Sequence, residues 1–134
     1  MDYLQTRGDV DRHRIAAYGL SMGAQLMPVM LAIEPRIRTG VMLSGGFETY
    51  SIPPEWDPVN FAPRVTQPAL MVNGREDFDL PYASAQVPLF NMLGTRAADK
   101  QHRVLEGGHL PPKPVLVFKE ILDWFDRYLG PVGI

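Results

Sequence analysis

The sequence predicts an α/β protein in which a short parallel sheet of about four strands is flanked by helices. Short apolar runs alternate along the chain with segments that have helical spacing. Glycine-containing clusters end several of these runs, as at residues 44–46 and 73–74. Strands that alternate with helices in this way pair in parallel, with the helices on the faces of the sheet. The 134 residues suffice for one domain, which we expect to span residues 1–134.

The first half of the chain predicts two strands and two helical segments. Residues 1–6 are typical of the end of a helix, and residues 14–18 form a buried strand. Residues 23–33 carry apolar side chains at helical spacing. Pro28 should break or kink this helix because it has no N–H. Residues 39–43 form the second strand.

The second half contributes two more strands and two more helices. Apolar runs at residues 69–72 and 103–105 predict the third and fourth strands. Between them, residues 81–93 begin with a proline, which suits the first turn of a helix. A last helix opens at Pro112 or Pro114 and carries an apolar stripe that would face the sheet.

The composition excludes several classes of function. A net charge of -2 and an isoelectric point near 5.9 argue against nucleic-acid or membrane-surface binding, which needs a basic excess. The absence of cysteine excludes disulfides, zinc–thiolate sites and a cysteine nucleophile. No cluster has metal-ligand spacing and no nucleotide-binding loop is present, so we expect neither a metal nor another cofactor. No apolar run could span a bilayer, and we expect a cytoplasmic protein.

Residues 19–23, Gly-Leu-Ser-Met-Gly, form a G-x-S-x-G pattern between a predicted strand and a predicted helix. This pattern is typical of the nucleophile elbow of serine hydrolases, in which a sharp turn exposes the serine hydroxyl. Side chains in place of Gly19 and Gly23 are expected to clash with neighbouring backbone. Ser21 is therefore the candidate nucleophile, although a serine in this position could instead cap the helix.

A serine nucleophile needs a base to take its proton and a carboxylate to orient that base. His109 follows a predicted strand and is the candidate base. His13 and His102 precede strands, and we expect both to be solvated. Asp77 and Asp79 follow the third strand, at the end of the sheet where open α/β folds carry their sites. We favour Asp77 as the acid, because Asp79 could instead cap the next helix.

Three sequence blocks resemble α/β hydrolases of the dienelactone hydrolase and acetyl-esterase type, and they occur in the family order. The blocks are Tyr18-Gly19-Leu20-Ser21-Met22-Gly23-Ala24, Val72-Asn73-Gly74-Arg75-Glu76-Asp77 and Glu106-Gly107-Gly108-His109. The resemblance covers essentially the whole chain and implies the C-terminal half of that fold. It also implies that Ser21 is the nucleophile, Asp77 the acid and His109 the base, with the N–H of Met22 as an oxyanion-hole donor.

In that family about half of the fold precedes the elbow, whereas Met1 lies only twenty residues before Ser21 here. The missing half of the family fold contributes several strands and the loop that donates the second oxyanion-hole N–H. Loss of one such donor costs about 10²–10³ in rate. Residues 14–18 would also become an unpaired apolar edge, which invites association. We therefore expect a homodimer or higher homo-oligomer that covers this edge.

Residues 47–67 contain four prolines and no clear period, so the sequence predicts a long loop. Phe47, Tyr50 and Trp56 in this loop are candidate substrate-binding residues that would wall an apolar acyl pocket near Ser21. They could equally pack under the loop as a small satellite core.

Together these features predict a serine carboxylesterase that acts on small, short-acyl ester substrates through an acyl-enzyme. Its activity should fall in acid, where His109 becomes protonated. Two alternatives remain because the first half of the family fold is missing. One is an inactive hydrolase remnant that serves in binding or assembly, and the other is a fragment of a longer hydrolase.

Overall fold

The computed structural model of the protein describes residues 1–48, 50–110 and 113–132. Its strands are Ala16–Leu20 (β1), Thr39–Leu43 (β2), Ala69–Gly74 (β3) and Lys100–Leu105 (β4). Its α-helices are Asp2–Thr6 (α1), Met22–Gln25 (α2), Met27–Ile33 (α3), Pro58–Phe61 (α4), Val87–Met92 (α5) and Pro114–Leu129 (α6). A π-helical segment at Tyr82–Gln86 leads into α5, and 3-10 turns occupy Ala62–Arg64 and Ala97–Asp99. Within the described ranges, no helix is long and apolar enough to cross a membrane.

All four strands pair in parallel, in the order β1-β2-β3-β4. The strand order follows the chain order, so each connection crosses to the neighbouring strand and the four carboxyl ends lie at one end of the sheet. The predicted α/β architecture is therefore confirmed. Because open parallel sheets carry their sites beyond the carboxyl ends of the strands, the segments that follow β1, β3 and β4 can meet there.

Two apolar layers hold the helices on the sheet. One layer packs α2, α3 and α5 against one face, with buried members Ala24, Met27, Leu31, Met42, Met71 and Leu89. The other layer packs α6 against the opposite face, with buried members Val41, Leu43, Leu70, Val72, Val117, Ile121 and Trp124. Successive residues of β2 and β3 thus enter different layers, as the alternation of side chains along a strand requires.

Trp124 ties α6 to the start of β2. Its indole N–H donates a hydrogen bond of 2.8 Å to Thr39 Oγ1, and the Thr39 hydroxyl donates a bond of 2.8 Å to the carbonyl of Pro68. The Trp124 ring also packs 4.7 Å from the ring of Tyr128. The polar atom of this buried side chain is therefore paired, as a buried tryptophan requires.

The α6 layer does not extend over β1. Tyr18 and Leu20 of β1 are each almost half exposed, and Phe118 of α6 is more than half exposed. Between them lies a cavity of about 240 Å³, here called the apolar groove, which is lined by Tyr18, Leu20, Leu43, Leu110, Pro114, Val117 and Phe118. The apolar groove runs beside an edge of the sheet, because β1 pairs only with β2 among the described residues.

Proline and aspartate explain two departures from the predicted elements. The helix predicted at residues 23–33 is split into α2 and α3, and Pro28 lies in the first turn of α3 because it has no N–H for a continuous helix. The loop predicted at residues 47–67 contains the short helix α4. The Asp57 carboxylate caps α4 by accepting a bond of 3.0 Å from the N–H of Val59.

The prediction that His102 is solvated is wrong. β4 begins three residues earlier than predicted, so His102 lies within the strand and its ring centre is 6.0 Å from that of Tyr82 and 5.5 Å from that of Phe90. Burial lowers the pKa of His102 from 6.5 to about 4. The neutral ring donates from Nε2 to Asn73 Oδ1 at 3.1 Å. Aromatic packing therefore draws this histidine away from solvent.

Candidate active site

Ser21 occupies the sharp turn between β1 and α2. Its backbone has φ 53° and ψ -116°, a region that non-glycine residues rarely adopt. The Ser21 N–H donates a bond of 2.9 Å to the carbonyl of Leu43, which ties the turn to β2. A Cβ at Gly19 would overlap the carbonyl of Gly23, so position 19 requires glycine. At Gly23 a Cβ would meet nothing within 4 Å, and the clash expected there is wrong.

A chain of hydrogen bonds links Ser21, His109 and Asp77. His109 Nε2 lies 2.8 Å from Ser21 Oγ, and His109 Nδ1 lies 2.9 Å from Asp77 Oδ2. Because an ionised carboxylate can only accept, Nδ1 carries the proton and Nε2 is free to accept from the Ser21 hydroxyl. The Asp77 side chain is fully buried, at 0 % exposure. The arrangement can move a proton from a hydroxyl to an imidazole that a carboxylate holds in place.

The two aspartates after β3 differ in their contacts. Asp77 Oδ1 accepts bonds of 3.0 Å from the N–H groups of Asp79 and Leu80, which leaves Oδ2 directed at His109. Asp79 is 54 % exposed in its side chain, and its Oδ2 lies 3.9 Å from His109 Nδ1. Asp79 does not cap the following helical segment, whose N-cap residue is Pro81 without a side-chain bond. The carboxylate that engages the histidine is thus Asp77, while Asp79 lies beside it in solvent.

Asp77, Asp79 and His109 also form a group that could hold a metal ion. One potential ligand atom from each lies within 4.8 Å of the others. The sequence spacing did not reveal this group, because His109 lies 32 positions after Asp77 and 30 positions after Asp79. An ion bound here would have to displace the proton that joins Nδ1 to Asp77.

The main chain around His109 is anchored to the ends of the neighbouring strands. The Ser44 hydroxyl donates a hydrogen bond to the carbonyl oxygen of His109. Two residues earlier, the N–H of Gly107 donates a bond of 2.6 Å to Glu76 Oε2. A Cβ at Gly74 would overlap the carbonyl of Gly107, so the loop can cross the end of β3 only because position 74 is glycine. These contacts hold the loop over the end of the sheet.

Sequence reasoning missed the contact made by Ser44. Residues 44–46 have the composition of an ordinary turn, and nothing in the local pattern indicates a bond to a residue 65 positions away. One signal was available, since Ser44 directly follows β2. This strand lies between β1, which leads to Ser21, and β3, which leads to Asp77. A polar residue at that point faces the same end of the sheet.

A cavity of about 320 Å³ opens beside the Ser21 hydroxyl. It is lined by Ser21, Met22, Gln25, Glu48, Tyr50, Asp79, Leu80 and His109. Two carboxylates and an amide therefore face the space in front of the serine. The cavity is more polar than the apolar acyl pocket that the sequence predicted.

Of the three aromatic residues predicted to bind substrate, only Tyr50 lines this cavity. Phe47 is 8 % exposed and belongs to the core layer formed with α2, α3 and α5. Its N–H donates a bond of 3.1 Å to the carbonyl of Ala85, which draws the residue beneath the loop. Trp56 is about half exposed and is absent from the cavity lining. Phe47 and Trp56 therefore lie outside the lining of this cavity, because the loop folds the Phe47 ring inward and leaves the Trp56 ring at the surface.

Met22 is the first residue of α2 and directly follows Ser21. The N–H groups of a first helical turn have no acceptor within the helix, so the N–H of Met22 is available to a ligand. The Met22 side chain is largely exposed and contributes to the wall of the cavity.

The structure resembles those of several esterases. It matches a cold-adapted esterase from an Arctic intertidal metagenomic library with a TM-score of 0.72 and 25 % identity, over 96 % of this chain and 54 % of that one. It matches an acetyl xylan esterase from Paenibacillus sp. R4 with a TM-score of 0.78 and 19 % identity, over 96 % of this chain and 49 % of that one. A protein from Klebsiella pneumoniae assigned as a dienelactone hydrolase gives a TM-score of 0.71 and 20 % identity, over 92 % of this chain and 56 % of that one.

The chain thus has the fold of α/β hydrolases and spans about half the length of the structures it matches, which fits the C-terminal half of that fold. This agrees with the family resemblance carried by the three sequence blocks. No protein-family model matches the chain. No curated protein sequence matches it either.

Proposed function

We propose that this chain is a serine ester hydrolase that cleaves small esters through an acyl-enzyme. The proposal rests mainly on the hydrogen-bond chain from the Ser21 hydroxyl through His109 to the buried carboxylate of Asp77. The strained backbone of Ser21 adds support, because such strain is typical of a nucleophile elbow. The fold shared with esterases is consistent with this activity.

In the proposed reaction, Ser21 Oγ attacks the ester carbonyl carbon while its proton passes to His109 Nε2. Asp77 keeps the imidazole in the tautomer that can accept this proton and stabilises the imidazolium that forms. When the tetrahedral intermediate collapses, Nε2–H gives the proton to the departing alcohol. Water then attacks the acyl-serine with His109 again as the base, which releases the acid and restores the Ser21 hydroxyl.

The oxyanion of the tetrahedral intermediate needs hydrogen-bond donors that are already in position. We assign the N–H of Met22 as one donor, because Met22 follows the nucleophile and begins α2. A single donor would leave the reaction about 10²–10³ slower than a site with two. Ester cleavage is less demanding than amide cleavage in this respect, so esters are the proposed substrates.

The cavity limits the proposed substrates further. A volume of about 320 Å³ lies at the lower end of the range for small-molecule sites. Glu48 and Asp79 line it with carboxylates, so an ester that itself carries a carboxylate would meet like charges. We therefore expect neutral esters with short acyl chains to be favoured.

The first test is hydrolysis of p-nitrophenyl acetate and p-nitrophenyl butyrate by the protein and by Ser21→Ala. Loss of the nucleophile lowers kcat by about 10⁶ in a comparable triad, so we expect the variant to fall to the background rate. Ser84→Ala is a matched control, because Ser84 is exposed and takes no part in the hydrogen-bond chain. A burst of p-nitrophenol equal to the enzyme concentration would indicate the acyl-enzyme, whereas equal slow rates in all three proteins would reject the proposal.

The alternative is a non-catalytic module that serves in binding or assembly. The exposed apolar groove beside β1 favours this alternative. A fluorophosphonate that reacts with activated serines distinguishes the two. Labelling of Ser21 in the native protein supports the hydrolase, and an unlabelled but folded protein supports the module.

A further inference from the structure

Two non-glycine residues in the described part of the chain have a positive φ, and both contact His109. Ser21 has φ 53° and Ser44 has φ 54°. Ser21 Oγ lies at the imidazole Nε2, and Ser44 Oγ bonds to the backbone carbonyl of the same histidine. Left-handed backbone at a serine persists only where the surroundings enforce it, and such positions cluster at functional sites.

Ser44 is built into the sheet. It follows β2 directly, its N–H donates a bond of 2.8 Å to the carbonyl of Val72 in β3, and its side chain is buried. β2 lies between β1, which leads into Ser21, and β3, which leads to Asp77. The Ser44 hydroxyl thus projects from a rigid point at the centre of the three strands. It reaches the loop that carries His109.

The ring of His109 and its backbone are held by different contacts. The bonds to Ser21 and Asp77 fix the imidazole nitrogens. The bond from Gly107 to Glu76 fixes the loop two residues earlier. Within the described residues, Ser44 makes the one side-chain hydrogen bond to the backbone of His109. Without it, rotation about the flanking peptide units could move Nε2 away from Ser21.

We propose that Ser44 is a positioning residue, which anchors the backbone of His109 and so keeps Nε2 within hydrogen-bond reach of Ser21. This inference rests on the proposed function for its effect on catalysis, but its structural part is independent of activity. A displacement of about 1 Å in a reacting group can cost about 10²-fold in rate. Loss of the Ser44 hydroxyl should therefore lower kcat by about 10- to 100-fold and leave KM nearly unchanged.

A pair of variants separates positioning from simple support of the fold. Ser44→Ala removes the hydroxyl and keeps the strained backbone, whereas Ser44→Gly removes the hydroxyl and relieves the strain. If Ser44 only supports the fold, activity should follow stability, and the glycine variant should be as active as the parent. If Ser44 positions His109, both variants should lose kcat to a similar extent, although the glycine variant is at least as stable as the alanine variant.

The decisive experiment adds a readout that needs no catalysis. In ¹⁵N-labelled protein, the proton between His109 Nδ1 and Asp77 should give a far-downfield resonance, because that carboxylate is buried. We expect this resonance to broaden or vanish in Ser44→Ala and Ser44→Gly, while the signals of His102 stay unchanged as an internal control. An unaltered His109 resonance in both variants would overturn the inference, as would its absence from the parent protein. Failure of the ester assay with the parent would reject the proposed function and leave this readout valid.

Discussion

Two regions of the sheet differ in how completely their side chains are paired or covered. One is the end of the sheet where His109 lies, and the other is the side of the sheet that carries β1. At the first, Asp77 is buried and both of its carboxylate oxygens accept hydrogen bonds. At the second, Tyr18 and Phe118 are about half exposed, and β1 pairs on one side only among the described residues. The described residues therefore suffice to join Ser21, His109 and Asp77 in a proton relay, but they leave the apolar surface beside β1 uncovered. The relay needs only the segments that follow three strands, whereas covering β1 needs surface that the described residues do not supply.

The largest expected effect concerns the relay. Asp77→Asn should lower kcat by about 10⁴, because an amide at this position favours the wrong imidazole tautomer. Asp79→Asn is the matched control, since Asp79 lies 3.9 Å from the same nitrogen but is half exposed. We expect Asp79→Asn to change kcat by less than about tenfold, because solvent screens the charge of an exposed carboxylate. Steady-state kinetics with p-nitrophenyl acetate would check both, and equal losses would erase the distinction between the two aspartates.

The next effect concerns self-association through the side of the sheet that carries β1. We propose that a second copy covers the β1 edge and the apolar groove, so that the 15.0 kDa chain has about twice this mass in solution. A lysine on an edge strand opposes pairing, and Tyr18→Lys should shift the protein towards the monomer. Tyr3→Lys is the control, because Tyr3 is exposed on α1, away from the groove. Light scattering at micromolar concentration would contradict the proposal if the parent protein were already a monomer.

The smallest effect concerns β4, the strand at the opposite edge of the sheet, where the rings of Tyr82 and Phe90 pack against His102. His102 has a pKa of about 4 in the folded protein and 6.5 as its ordinary value. Between these values the unfolded chain binds a proton that the folded protein does not, so stability should fall as the pH is lowered through this window. His102→Gln should remove this part of the pH dependence, because an amide can still donate to Asn73 and does not titrate.

Urea unfolding at pH 7 and at pH 5 measures this contribution of His102. The difference in midpoint between the two pH values should be smaller in His102→Gln than in the parent protein. His13→Gln is the control, because it replaces an exposed histidine that lies outside the sheet. If the urea midpoint depended on pH identically in the parent and in His102→Gln, the His102 ring would be open to solvent. The edge strands β1 and β4 would then both expose their aromatic rings to solvent.

Much of the fold follows from local sequence signals. Residues 39–43 form β2 as predicted, because a short apolar run bounded by polar and glycine-rich residues has few other solutions in a parallel sheet. The elbow was predicted because the pattern at residues 19–23 is itself local. The structure also brings Ser21, Asp77 and His109 together, as predicted, because parallel pairing leads the segments that follow the strands to one end of the sheet.

The parts that sequence reasoning missed depend on contacts between distant residues. The burial of His102 depends on the rings of Tyr82 and Phe90, which come from other elements. The inward turn of Phe47 depends on a backbone bond to the segment before α5. The bond from Ser44 to His109 joins two loops. Periodicity and turn composition depend on residues that are neighbours along the chain. They therefore cannot predict these contacts between distant residues.

The buried position of Trp124 has a consequence for fluorescence spectroscopy. The chain has two tryptophans, and their surroundings are opposite, since Trp124 is buried between α6 and the sheet while Trp56 is about half exposed. Emission from Trp124 should lie at shorter wavelength and resist quenching by iodide, whereas Trp56 should emit at longer wavelength and be quenched. One unlabelled sample can therefore report separately on the packing of α6 against the sheet and on the loop that follows β2.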